Sequence, residues 1–167
     1  MSRAEDTEIW FYHLQHTSVV QVVVGLVEKV LARGWRAEVS SPLDERIETL
    51  DDALWQADER SFLPHGRWDE PRAARQPVLL SPKTTLENQP DVVILLDEAA
   101  FSDLKGLKRA ILIFDGHNEA AVARAREMWT KLKSHGHPMS YWQQTESGGW
   151  QKKAEQQAQP VAAAKTP

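Results

Sequence analysis

Residues 92–98, VVILLDE, form an unbroken aliphatic run closed by two acids. A half-wet strand would alternate apolar with polar residues. A short continuous run is the mark of a strand whose two faces are both covered by helices. PVLLSP at 77–82 and AILIF at 110–114 share this character, so all three read as central strands of a mostly parallel sheet. Parallel neighbours need long crossovers, and helical segments stand where the crossovers belong. EIWFYHL at 8–14 is aromatic and β-branched and predicts the first strand. Thr17 and Ser18 then offer N-cap hydroxyls, and Val20, Val23, Val24, Val27, Val30 and Leu31 recur at helical spacing as far as Arg33-Gly34. Trp35 to Ser40 predicts a second strand, and Pro42 to Asp58 a second helix burying Ile47, Leu50, Leu54 and Trp55. The stretch FLPHGRWDEPRAARQ at 62–76 has no period and reads as a long loop. Asn118 caps a last helix running to His135, with Val122, Ala125, Trp129 and Leu132 as its buried stripe. MSYWQQ at 139–144 and GWQKK at 149–153 predict a closing hairpin or edge strands. The expected fold is a single-domain, Rossmann-like, three-layer α/β arrangement over 8–153 on a mostly parallel sheet. Residues 1–7 are expected as a tail, and 154–167, poor in large apolar side chains, as a disordered one.

The chain has 167 residues, enough for one self-sufficient core. It contains no cysteine, which removes disulfides, thiolate metal sites and cysteine nucleophiles. Its formal charge of -4 supplies no global basic field, so strong direct DNA binding is not expected. The longest apolar stretch, 19–31, is interrupted by Gln21, Glu28 and Lys29 and falls short of the roughly 20 residues a membrane span needs. The opening MSRAEDTEIW is charged where a secretory signal would be apolar, and the expected location is the cytoplasm.

Asp97 and Glu98, at the end of the 92–96 run, have the form of a segment that holds magnesium in nucleotide hydrolases. The companion G-x-x-x-x-G-K-[ST] loop is absent, which favours reading the two acids as the polar end of a buried strand. The first strand-to-helix turn, LQHTSV, lacks the glycines of a dinucleotide site. In FDGHNE at 114–119, Asp115 and His117 stand before a helix, though turn formation and capping by Asn118 explain the same letters. His13 with His16, and His135 with His137, have no third ligand at a fixed offset. No catalytic residue, cofactor or metal is expected. The alternative is a small magnesium-dependent nucleotide-binding or hydrolase enzyme using Asp97 and Glu98, with Asp115 in support.

Seven tryptophans stand in a chain with two tyrosines and four phenylalanines. Trp10 and Trp55 lie on apolar faces, whereas Trp68 falls in the long loop. Tryptophan buries much area at little entropic cost and is the residue most enriched at binding hot spots. The helix at 118–135 carries Arg124, Arg126, Lys131 and Lys133 against Glu119 and Glu127. A cationic strip beside tryptophans suits an acidic peptide with an apolar anchor.

Three segments resemble the chi subunit family of bacterial DNA polymerase III: the opening strand IWFYHL, then LDDALWQADERSFLPH at 50–65, and ARE at 125–127 followed by Trp129. The resemblance runs in order over about residues 8–152. It implies a non-catalytic accessory subunit with a Rossmann-like fold and no nucleotide site. It also implies a link between the clamp-loader and polymerase assembly and the acidic, phenylalanine-ended tail of single-stranded DNA-binding protein, with a second surface toward the psi subunit or another clamp-loader component. By position, Arg126 and Trp129 are the tail-binding residues. The family lysine one turn earlier falls on Val122, leaving Arg124, Lys131 and Lys133 as substitutes for its charge. Phe62, with Leu63 and Trp55, falls at the psi-facing surface.

Overall fold

The computed structural model describes residues 7–57, 63–99, 104 and 106–156. In chain order the elements are β1 (Glu8–Leu14), α1 (Val19–Ala32), β2 (Ala37–Ser40), α2 (Asp44–Gln56), β3 (Gly66–Arg67), β4 (Val78–Ser81), β5 (Val92–Leu95), β6 (Arg109–Asp115), α3 (Glu119–Lys133), β7 (Met139–Gln144) and β8 (Trp150–Gln156). They fall into two compact units, one drawn from 18–102 and the other from 1–17 together with 103–167. The Rossmann-like α/β class on a mostly parallel sheet is the one observed.

In the 18–102 unit the strands lie in the order β3-β4-β2-β5, all parallel. β2, β4 and β5 are buried along their whole length, as continuous aliphatic runs require. Ser18 caps α1 through a reciprocal box with Gln21, and Val23, Val27 and Val30 are its buried line. The long loop is less irregular than its letters suggest. It contributes the two-residue strand β3 and a single 3-10 turn at Ala73–Arg75. Glu38, inside β2, is fully buried. Its carboxylate accepts from the Ser81 and Thr85 hydroxyls, both at 2.8 Å, and from the Thr85 and Leu86 amides at 2.9 and 2.8 Å. A buried carboxylate is tolerated only when its lone pairs are met in this way.

In the other unit the order is β6-β1-β7-β8, with β7 and β8 antiparallel and the rest parallel. The closing hairpin is as expected, but β8 runs three residues past Lys153, where the sequence reading began a tail. Gln156 is buried there, its amide donating to the His137 carbonyl at 3.1 Å, so the hairpin is held to its last residue. Gln144 ties the end of β1: its Oε1 accepts from the amides of Gln15, His16 and Thr17 at 3.2, 2.8 and 3.0 Å.

Candidate functional site

Alternation along β1 sends Ile9, Phe11 and His13 to one face and Trp10 and Tyr12 to the other. The register sets Phe11 opposite Tyr141 of β7 and His13 opposite Phe114 of β6. On that face Trp129 of α3 meets Phe11 at 5.4 Å and Tyr141 at 6.0 Å between ring centroids. Tyr141 also lies 6.0 Å from Phe11, Phe114 and His13, so it is the hub of an aromatic cluster. His13 Nδ1 and the Tyr141 hydroxyl are hydrogen-bonded at 2.9 Å. Behind His13 stands Gly116, where a Cβ would lie 2.2 Å from His13 Nε2 and 2.6 Å from the Leu14 carbonyl oxygen. The cluster runs from the middle of β1 and β7, at Phe11 and Tyr141, to the carboxyl ends of β1 and β6, at His13 and Phe114, and carboxyl ends are the usual place for ligands in open α/β sheets.

Arg126 of α3 is exposed and acts on both polar members of the cluster. Burial pushes the His13 imidazole below its ordinary range. Arg126 lowers it further, Asp115 pulls it up, and His117 lowers it. Burial raises the Tyr141 phenol, with Arg126 opposing. At about 100° per residue, Val122, Trp129 and Lys133 fall on the same line of α3 as Arg126, whereas Arg124 and Lys131 lie about 140–160° round the axis. Of the cations considered as substitutes for the charge missing at Val122, Lys133 is the one that shares this line. The line flanks the buried seam of Ala125 and Leu132. Val122 and Trp129, expected inside that seam, are therefore only half-buried.

The opposite face of this unit gathers aromatics that the sequence reading had not joined. Arg109 caps the Trp10 ring at 3.8 Å, Trp10 lies 6.5 Å from Trp142, and Lys152 stands 5.1 Å from the Trp142 ring. Tyr12 stacks on Trp150 at 4.8 Å. Cross-strand spacing is the signal that could have found them, since β1 and β7 register Tyr12 against Trp142.

The psi-facing residues separate. Trp55 is 59% exposed, Leu63 is buried, and Phe62 lies outside the described residues. Trp55 was expected on the buried face of α2, where Ile47, Leu50 and Leu54 do lie. Eight residues past Ile47, it falls at the stripe's edge, about 80° round the axis. His65, also buried, has Nδ1 at 2.8 Å from the Leu63 carbonyl and Nε2 at 2.8 Å from Asp51 Oδ1, with the Trp55 ring edge-on at 4.9 Å. The first acid of LDDALWQADERSFLPH and its histidine are thus hydrogen-bonded to each other.

Of the candidate enzymatic groups, Asp97 and Asp115 are engaged by the scaffold. Asp97 receives Arg46 through Nε and Nη2 at 2.9 and 3.1 Å and the Ser41 hydroxyl at 2.7 Å. Both carboxylate oxygens of Asp97 are thus engaged, where the backbone at Asp97 and Glu98 takes the left-handed conformation (φ 52° and 64°). Asp115 Oδ1 accepts from the His117 amide at 2.9 Å, and Asn118 Oδ1 from the Ala121 amide at 3.1 Å, as turn and cap. Among the described residues no group of three or more histidine, aspartate or glutamate side chains is placed to hold a metal ion, and no helix is long and apolar enough to cross a membrane.

Fold and site together define a Rossmann-like α/β protein with an arginine-edged aromatic cluster reaching the carboxyl ends of β1 and β6, and with Asp97 and Asp115 tied to the scaffold. Residues 7–140 match the family described as DNA polymerase III chi subunit, HolC. A curated relative, "Probable DNA polymerase III subunit chi" of Rickettsia prowazekii (strain Madrid E), is 21% identical over 103 residues. That match covers 62% of this chain and 62% of the relative, somewhat under two thirds of its length. The chain belongs to the DNA polymerase III chi subunit family.

Proposed function

We propose that this chain is a non-catalytic accessory subunit of DNA polymerase III that links the clamp-loader and polymerase assembly to single-stranded DNA-binding protein by gripping its acidic C-terminal tail. The observation that carries this reading is the line of Arg126, Trp129 and Lys133 along α3, beside the cluster around Tyr141. An arginine pairs with a carboxylate through two parallel hydrogen bonds, and an adjoining aromatic surface takes a phenyl ring. Chain ends carry both in one residue, so the pairing selects a terminal phenylalanine. Arg126, Trp129 and Lys133 make the contact, with Arg124 and Lys131 steering from the far side of the helix. The second surface is built from Trp55 and Phe62, with Leu63 as a buried support, and faces a psi subunit or another clamp-loader component. Such an adaptor works in the cytoplasm and needs neither cofactor nor membrane.

Fluorescence anisotropy of a labelled acidic peptide ending in Asp-Ile-Pro-Phe tests the tail site. Binding should weaken with salt and vanish when the final phenylalanine is removed. Arg126→Ala should weaken it more than about tenfold, the scale of one charge-assisted hydrogen-bonded pair. Undiminished affinity in Arg126→Ala would remove Arg126 from the site.

A further inference from the structure

His13 is the histidine of the cluster, and the tail-binding reading gives it no part. It is hydrogen-bonded to Tyr141, which packs against Trp129, and it feels the charge of Arg126 from α3. The charged and titratable groups that face it are Arg126 on α3, Asp115 at the end of β6, His117 in the turn that follows, and Tyr141 on β7. Gly116 gives its ring room: any side chain there would occupy the space of Nε2. Burial first, and then the nearby Arg126, disfavours the charged form of this ring, with Asp115 pulling the other way. A carboxylate brought to that arginine shifts the balance toward the charged form. It cancels the cation's repulsion and adds an attraction of its own.

Resting on the tail-site reading, we infer that His13 takes up a proton when an acidic chain end pairs with Arg126, so that the site binds its ligand more tightly as pH falls. His13 acts here through Arg126 and Tyr141, as a positioning and charge-sensing group. Its Tyr141 hydrogen bond is the mechanical side of the device. An imidazolium must donate to the Tyr141 hydroxyl, which fixes the orientation of the ring against which Trp129 is seated.

The experiment is the same peptide titration carried out from pH 7.5 to 5.5 at constant ionic strength, a range over which the peptide's aspartates and terminal carboxylate stay ionised. Affinity should rise by a few-fold up to about tenfold per pH unit, the limit for one linked proton. His13→Gln should remove the slope, while His117→Gln, which alters only a neighbour, should keep it. The second measurement needs no variant. The His13 Cε1–H resonance, followed by NMR in the full chain, should titrate at higher pH when the peptide is saturating than when it is absent. Binding that is independent of pH, or a His13 titration that the peptide does not move, overturns the proton linkage and leaves the tail site standing. Absence of peptide binding at every pH overturns both.

Discussion

At the scale of single residues, the candidate site depends on close packing around His13. A Cβ at position 116 would enter the space of the imidazole and of the Leu14 carbonyl together, and backbone cannot swing aside as a flexible side chain can. Gly116→Ala should therefore cost about 1–3 kcal/mol, the range for overpacking, read as a lower urea midpoint at unchanged slope. His13 makes a second prediction about the free protein. Its imidazole is held below the ordinary value of 6.5, first by burial and then by Arg126. As pH falls through 6.5 the unfolded chain binds the proton before the folded one does, so stability is full above that value. It then declines until pH reaches the lower, folded-state value. His13→Gln should flatten that decline, checked by urea midpoints at pH 7.5 and 5.5 for both chains. Neither effect could be foreseen from letters alone. Gly116 sits in FDGHNE, where the glycine has a ready explanation as a turn residue, and nothing there announces the ring packed behind it.

At the scale of elements, α3 carries the site and its N-terminus is fixed by one side chain. Asn118 satisfies the Ala121 amide, and Asn118→Ala should cost about 0.5–2 kcal/mol. Amide exchange in the first turn of α3 should quicken, while Asn118→Gly loses only a few tenths of a kcal/mol, because glycine also accepts the cap conformation. Caps and aliphatic runs were legible in the sequence because each acts over a few residues. Ser18 and Asn118 cap the helices that were read from them, and 77–82, 92–96 and 110–114 became β4, β5 and β6. Elements that depend on distant partners were less legible. β3 is two residues long and exists by pairing with Leu79 and Leu80, and β8 extends to Gln156 because β7 pairs with it. The α3 cations were identified as a set, but their division into two sides of the helix needed the buried seam to define which side faces Trp129. The ring cluster was still harder to read. Phe11, Phe114, Trp129 and Tyr141 lie on four elements, and strand register together with the packing of α3 brings the other three rings to 6.0 Å from Tyr141.

At the scale of the whole molecule, the two units differ in how their strands are joined. β2 pairs with β4 and β5, which follow it closely, whereas β1 pairs with β6 and β7 across all of 18–102. Longer loops close more slowly and at greater entropic cost. In a refolding experiment with pulsed hydrogen exchange, amides of β2 and β5 should gain protection before those of β1, and β1 should gain it together with β6. Protection of β1 ahead of β6 would contradict this order.

The same discontinuity has a consequence on the ribosome. The strand that carries Phe11 and His13 leaves the exit tunnel well before its neighbours Leu112 and Phe114, which are translated only after the whole of 18–102. At about 5–20 residues per second, that interval lasts several seconds to about twenty. Throughout it an aromatic, β-branched strand waits without a mate, the kind of segment that chaperones bind and that aggregates when they do not.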